Sequence, residues 1–91
     1  MSGLVRRRVV VHGRVQGVFF RDSTRRQASS RGLAGWVWNR PDGAVEAVFE
    51  GDRDGVESLV RFCREGPRGA EVDEVEVVEE EPEGLSGFGV R

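Results

Sequence analysis

Residues Val9 to Thr24 read VVVHGRVQGVFFRDST. The three valines predict a β-strand, because β-branched side chains suit a pleated, buried surface better than a helix. That strand should run from Leu4 and stop at His12-Gly13. From Thr24 the residues TRRQASSR predict a helix to Gly32, with Thr24 and Gln27 spaced like a capping box and Gly32 placed to end it in a left-handed turn. Between strand and helix lies Gly13-Arg14-Val15-Gln16-Gly17-Val18. Two glycines four apart allow a concave loop whose N–H groups point inward, and the helix that follows adds its own unpaired N–H groups and positive dipole end. Such a loop suits an anion, although the same residues also suit a mere turn. Arg21 sits at its exit, where a planar guanidinium can grip two oxygens of a phosphate or carboxylate.

The chain has 91 residues, too few for two cores of useful size, so residues 1–91 are expected to form a single domain. An apolar fraction of 37% against 33% charged residues supports a folded globule and argues against wholesale disorder. The net charge of −2 argues against a general nucleic-acid binder. No apolar run approaches the length of a membrane span, and the N-terminal segment lacks the features of a signal peptide, so a soluble, cytoplasmic protein is expected. Cys63 is the one cysteine, which excludes an internal disulfide and a Cys-rich metal site. All 14 basic residues are arginine. No lysine is therefore present to act as Schiff base or nucleophile.

Outward from the opening stretch, Arg6-Arg7-Arg8 has no interleaved aromatics and reads as a solvated strand edge. Phe20, Thr24 and Ala28 recur every fourth residue and should line the core face of the first helix. Gly35 to Asn39 and Ala44 to Glu50 read as strands joined by a turn at Pro41-Asp42-Gly43, which places Asn39 at a strand end. Asp52 or Asp54 should cap a second helix, in which Val56, Leu59, Val60 and Cys63 fall at amphipathic spacing and Gly66-Pro67 marks the end. Val72, Val75, Val77 and Val78 suggest a fourth strand with Glu79-Glu80-Glu81 as its solvated end, and Phe88 and Val90 suggest a short closing strand. The fold expected is α+β: a βαββαβ order with a short C-terminal strand, an antiparallel sheet and both helices on one face.

That frame hosts many activities, so the site must decide. Metal transport would need paired cysteines, RNA binding would need aromatics in the first strand, and a Walker-type loop would need Gly-Lys-Ser/Thr after the second glycine. None is present. His12, the single histidine, stands at a strand end where a structural role is as natural as a catalytic one. Cys63 falls on an apolar helix face and reads as core. What is left near Arg21 is an anion clamp and an amide, without a general acid, a nucleophile or a metal-ligand set. Such a site can help only a substrate that is already reactive.

His12-Gly-Arg-Val-Gln-Gly-Val-Phe-Phe-Arg21 resembles the first signature of the acylphosphatases, Gly35-Trp-Val-Trp-Asn39-Arg-Pro-Asp-Gly43 the second, and Gly87-Phe-Gly-Val-Arg91 the end of that family's chains. The resemblance covers nearly the whole chain. It implies a ferredoxin-like α/β sandwich and hydrolysis of the carboxyl-phosphate bond of small acyl phosphates, with no metal or other cofactor. By position, Arg21 matches the phosphate-binding arginine, Asn39 the asparagine that orients the attacking water, and the backbone of Arg14, Val15, Gln16, Gly17 and Val18 the phosphate cradle. The partners implied are the acyl phosphate itself and inorganic phosphate or sulfate as site ligands. Nucleic acid and membrane are not expected as partners, and the chain is expected to be a monomer. A carboxylate is a good leaving group, so the missing general acid fits this chemistry. A rival from another class is a binding module that keeps the anion cradle and acts as a sensor or assembly domain.

Overall fold

In the computed structural model, which describes residues 3–91, the elements run β1 (Leu4–Arg14), α1 (Phe20–Ser30), β2 (Ala34–Asn39), β3 (Val45–Asp52), α2 (Arg53–Glu65), β4 (Glu71–Glu80) and β5 (Phe88–Val90). The strands form one sheet in the order β4-β1-β3-β2-β5. The four longer strands pair antiparallel, as their sequence order requires, whereas β5 joins β2 in parallel and makes the sheet mixed. Val9, Val11, Val37, Val45, Ala47 and Phe49 of the sheet, Phe20 and Ala28 of α1, and Val56, Leu59 and Cys63 of α2 form one core cluster. Both helices therefore cover the same face. Fully burying a side chain such as Leu59 or Phe49 contributes about 1.5–3 kcal/mol relative to leaving it in water.

The helix ends follow local chemistry at three of four termini. Asp52 caps α2 by accepting the Gly55 N–H at 2.9 Å, and Gly66 follows the last turn with its N–H on the Phe62 carbonyl. At the end of α1 the Leu33 and Gly32 N–H groups bond the Ala28 and Ser29 carbonyls, a Schellman closure with Gly32 in the left-handed region. The fourth terminus departs from the expected capping box. α1 starts at Phe20, four residues before Thr24, and Thr24 lies fully buried inside it with no hydrogen-bond partner for its hydroxyl. The spacing Phe20, Thr24, Ala28 puts Thr24 on the core face, and a core position cannot also be a cap.

Two charged segments expected to be solvated contain structural residues, Arg6 and Arg8 in one and Glu80 in the other, while Glu79 and Glu81 are exposed as expected. β1 is an interior strand, so Arg6 is only 3% exposed on the face opposite the helices. It bonds Glu80 at 2.8 Å and Glu50 at 3.3 Å, while Arg8 bonds Glu80 and Glu46 at 2.7 Å each. Glu80 is thus part of an ion-pair network, in contrast to the free end expected of Glu79-Glu80-Glu81. Glu50 also accepts the N–H groups of Glu83, Gly84 and Leu85 at 2.7–2.9 Å. Through these bonds the loop leading to β5 is fixed.

Candidate active site

β1 and β2 each run antiparallel to β3, and β5 runs parallel to β2. The three strands therefore point the same way and end at the same edge of the sheet. The loop after β1, Asn39 at the end of β2 and Val90 at the end of β5 meet there with the first turn of α1. They enclose a cleft of about 380 Å³ lined by Val15, Gly17, Phe19, Phe20, Arg21, Asp22, Asn39 and Val90.

The loop is shorter than its two glycines suggest. β1 continues through Gly13 and Arg14, which pair with Val72 and Glu71 of β4 after a bulge at His12/Gly13. Gly13 is required there by close approach, because a Cβ would stand 2.2 Å from the Glu71 carbonyl oxygen. Gly17, at φ 76° with open space around it, is the glycine that shapes the loop. The Gln16 side chain ties this loop to the β2–β3 turn, its Nε2 donating to the carbonyls of Arg40 at 2.9 Å and Ala44 at 3.0 Å. Of the expected cradle residues, Val15 and Gly17 line the cleft, Gln16 anchors the loop, Val18 packs against the core and Arg14 belongs to β1.

Among the described residues, the N–H groups of Gln16, Gly17, Val18 and Phe19 make no hydrogen bond to another residue, and α1 begins without a side-chain cap. Four successive open donors next to the positive end of the helix are an arrangement that favours an anion. Arg21, exposed in the first turn, has no ion-pair partner among the described residues, while its neighbour Asp22 is held by Arg25 at 2.9 Å and Arg26 at 3.1 Å. Those contacts, the Arg25 hydrogen bond foremost, hold the Asp22 carboxyl below its ordinary range. Asn39 contributes a buried Oδ1 that has no hydrogen-bond partner. A buried acceptor left open costs about 1–3 kcal/mol and points to a donor from solvent or substrate.

The other sequence candidates lie elsewhere. His12 Nε2 is 2.6 Å from Glu76 and does not line the cleft. Cys63 is in the core, where burial pushes its thiol up to about 12, so it is no nucleophile. Among the described residues no three His, Cys, Asp or Glu side chains converge as a metal-ligand set, and no helix is long and apolar enough to cross a membrane.

The acylphosphatase family model matches residues 7–90. The chain belongs to the acylphosphatase family. An acylphosphatase of Nostoc is 61% identical over 99% of this chain and 89% of its own length. One from Rubrobacter xylanophilus is 63% identical over 92% of this chain and 77% of its own. The solved acylphosphatase of Coxiella burnetii superposes with a TM-score of 0.93 at 43% identity, covering 98% of this chain and 94% of that one.

In this acylphosphatase-family cleft, three features were invisible to sequence reasoning. Phe19 adopts a left-handed conformation, φ 62° and ψ 24°, and is 80% exposed on the cleft wall. A bulky residue held there costs about 1–2 kcal/mol. Val90 reaches the cleft because β5 lies beside β2, a pairing that only the tertiary topology reveals. The side chain of Gln16 acts as a brace between two loops. Its partners are main-chain carbonyls, which leave no trace in residue types.

Proposed function

We propose that residues 1–91 act as one acylphosphatase domain that hydrolyses small acyl phosphates to carboxylate and inorganic phosphate. The observation that carries this reading is that the unpaired Arg21 guanidinium and the buried, unpartnered Oδ1 of Asn39 line one cleft with the Gly17 loop. Arg21 and the open backbone N–H groups of the loop, Gln16 to Phe19, hold the phosphoryl oxygens. Asn39 accepts a hydrogen bond from a water molecule and aims its oxygen at phosphorus, in line with the acyl oxygen. The new P–O bond forms as the bond from phosphorus to the acyl oxygen breaks. That bonding pair leaves with the carboxylate, and one water proton passes to a phosphoryl oxygen, giving dihydrogen phosphate. Because the carboxylate departs unprotonated, no side-chain acid is needed. The donors are fixed in advance by the Gln16 brace and the uncapped helix, so they stabilise developing charge without reorganising. The proposed functional unit is a monomer.

Steady-state kinetics on benzoyl phosphate and a simple alkyl phosphate monoester test this reading. Acyl phosphate turnover should exceed monoester turnover by orders of magnitude, since an alkoxide leaves poorly without an acid. Comparable kcat/KM values on the two classes would remove the proposal.

A further inference from the structure

Among the described residues Phe19 is the most exposed large apolar side chain, and Val90 is another, 43% exposed; both line the cleft. The adjacent Phe20 is buried against Phe62, with ring centroids 5.8 Å apart. The two neighbouring rings thus part company, one into the core and one onto the cleft wall. At the parting the backbone of Phe19 is left-handed, a conformation that glycine would adopt without strain. A phenylalanine is kept there at conformational cost, with its ring in solvent beside the phosphate machinery and outside the core cluster. Backbone strain of this kind collects where a side chain must be aimed.

We propose that Phe19, together with Val90, forms the wall against which the acyl group of the substrate packs, and that residue 19 sets the preference for flat, apolar acyl groups. This deepens the acyl phosphate reading and rests on it. Arg21, the loop and Asn39 treat every acyl phosphate alike, because they address only the phosphoryl group and the water. Discrimination must come from the rest of the cleft. There the apolar surface is Phe19 and Val90, above the buried Val15 and Phe20. An aromatic acyl group can stack on the Phe19 ring and an acetyl group cannot.

The test compares benzoyl phosphate with acetyl phosphate in the parent, Phe19→Ala and Phe19→Gly. The ratio of kcat/KM for benzoyl over acetyl phosphate should fall about ten-fold in both variants, and the loss should appear in KM. Phe19→Gly separates the ring from the backbone, since it removes the ring while accommodating the positive φ. An unchanged ratio in Phe19→Gly, or equal losses on the two substrates, would overturn the wall. Calorimetric titration with benzylphosphonate and methylphosphonate reads the wall without turnover. The parent should bind the benzyl compound more tightly, and Phe19→Gly should erase the difference. If the parent hydrolyses neither acyl phosphate, the proposed function fails while the titration still decides the wall. Absence of any preference for the benzyl compound, or of binding by either, overturns it.

Discussion

Arg21 and Asn39 line the same cleft yet should fail in different ways when removed. Arg21 is proposed to touch phosphate in the ground state and the transition state. Arg21→Ala should therefore weaken inorganic phosphate binding and cost about 2–4 kcal/mol of transition-state stabilisation. Arg21→Lys should recover little of it, because a point charge does not reproduce a bidentate fork. Asn39 is proposed to hold only the water, so Asn39→Ala should lower kcat by a similar factor and leave the phosphate dissociation constant nearly unchanged. Phosphate titration and kinetics on the same variants check both, and loss of activity only in proportion to lost folded protein would strike Asn39 from the site. The placement of both residues was legible in the sequence, Arg21 at the exit of the glycine loop and Asn39 at a strand end before a turn. Phe19 was not, since nothing in Val18-Phe19-Phe20 tells which ring turns inward. Thr24 was misread for a related reason: Thr-x-x-Gln has the spacing of a cap, but its place every fourth residue from Phe20 already committed it to the core.

At the level of elements, the loop after β1 is held by contacts that do not show in residue types. Gln16 bridges it to the β2–β3 turn. Gln16→Ala removes two hydrogen bonds and should cost about 1–3 kcal/mol of stability, seen in thermal unfolding, and should weaken phosphate binding as the loop loosens. Unchanged phosphate affinity would show that the loop holds its shape without the brace. On the opposite face, Glu50 ties Arg6 to the loop that leads into β5. Glu50→Ala leaves a buried guanidinium with fewer partners and should cost about 3 kcal/mol, the lower end for breaking a buried pair, because Glu80 remains. Arg6-Arg7-Arg8 was read as a solvated edge because a run of charge says nothing of strand order. Once β1 lies between β3 and β4, alternate arginines must find carboxylates on the neighbouring strands.

Across the whole molecule, the βαββαβ order was recoverable from periodicity and turns, and that order alone brings the ends of β1 and β2 to one edge. The parallel docking of β5 was not, since three residues carry no directional signal. The open face of the sheet makes stability depend on pH. Hydrogen bonds from Arg8 and Arg6 hold the Glu80 carboxyl below its ordinary value. Burial pushes Glu50 and Glu46 upward, but the loop N–H groups and Arg6 for Glu50, and Trp38 and Arg8 for Glu46, outweigh it and leave both lowered. A carboxyl lowered by folding contributes stability that is complete above its unfolded value, about 4.3, and is lost as pH falls toward the folded value. The melting temperature should therefore be flat near neutrality and fall below about pH 5. A flat profile down to pH 3 would show that these ion pairs add nothing. Activity should survive exhaustive chelation with EDTA, and metal-dependent turnover would contradict the proposed chemistry.

In the proposed reaction, water delivered at Asn39 attacks phosphorus. Hydrolysis of benzoyl phosphate in ¹⁸O-labelled water, read by mass spectrometry of both products, tests it most directly. The label should appear in inorganic phosphate and leave the benzoate unlabelled. Label in the benzoate would mean attack at the carbonyl carbon and would contradict the roles given to Arg21 and Asn39.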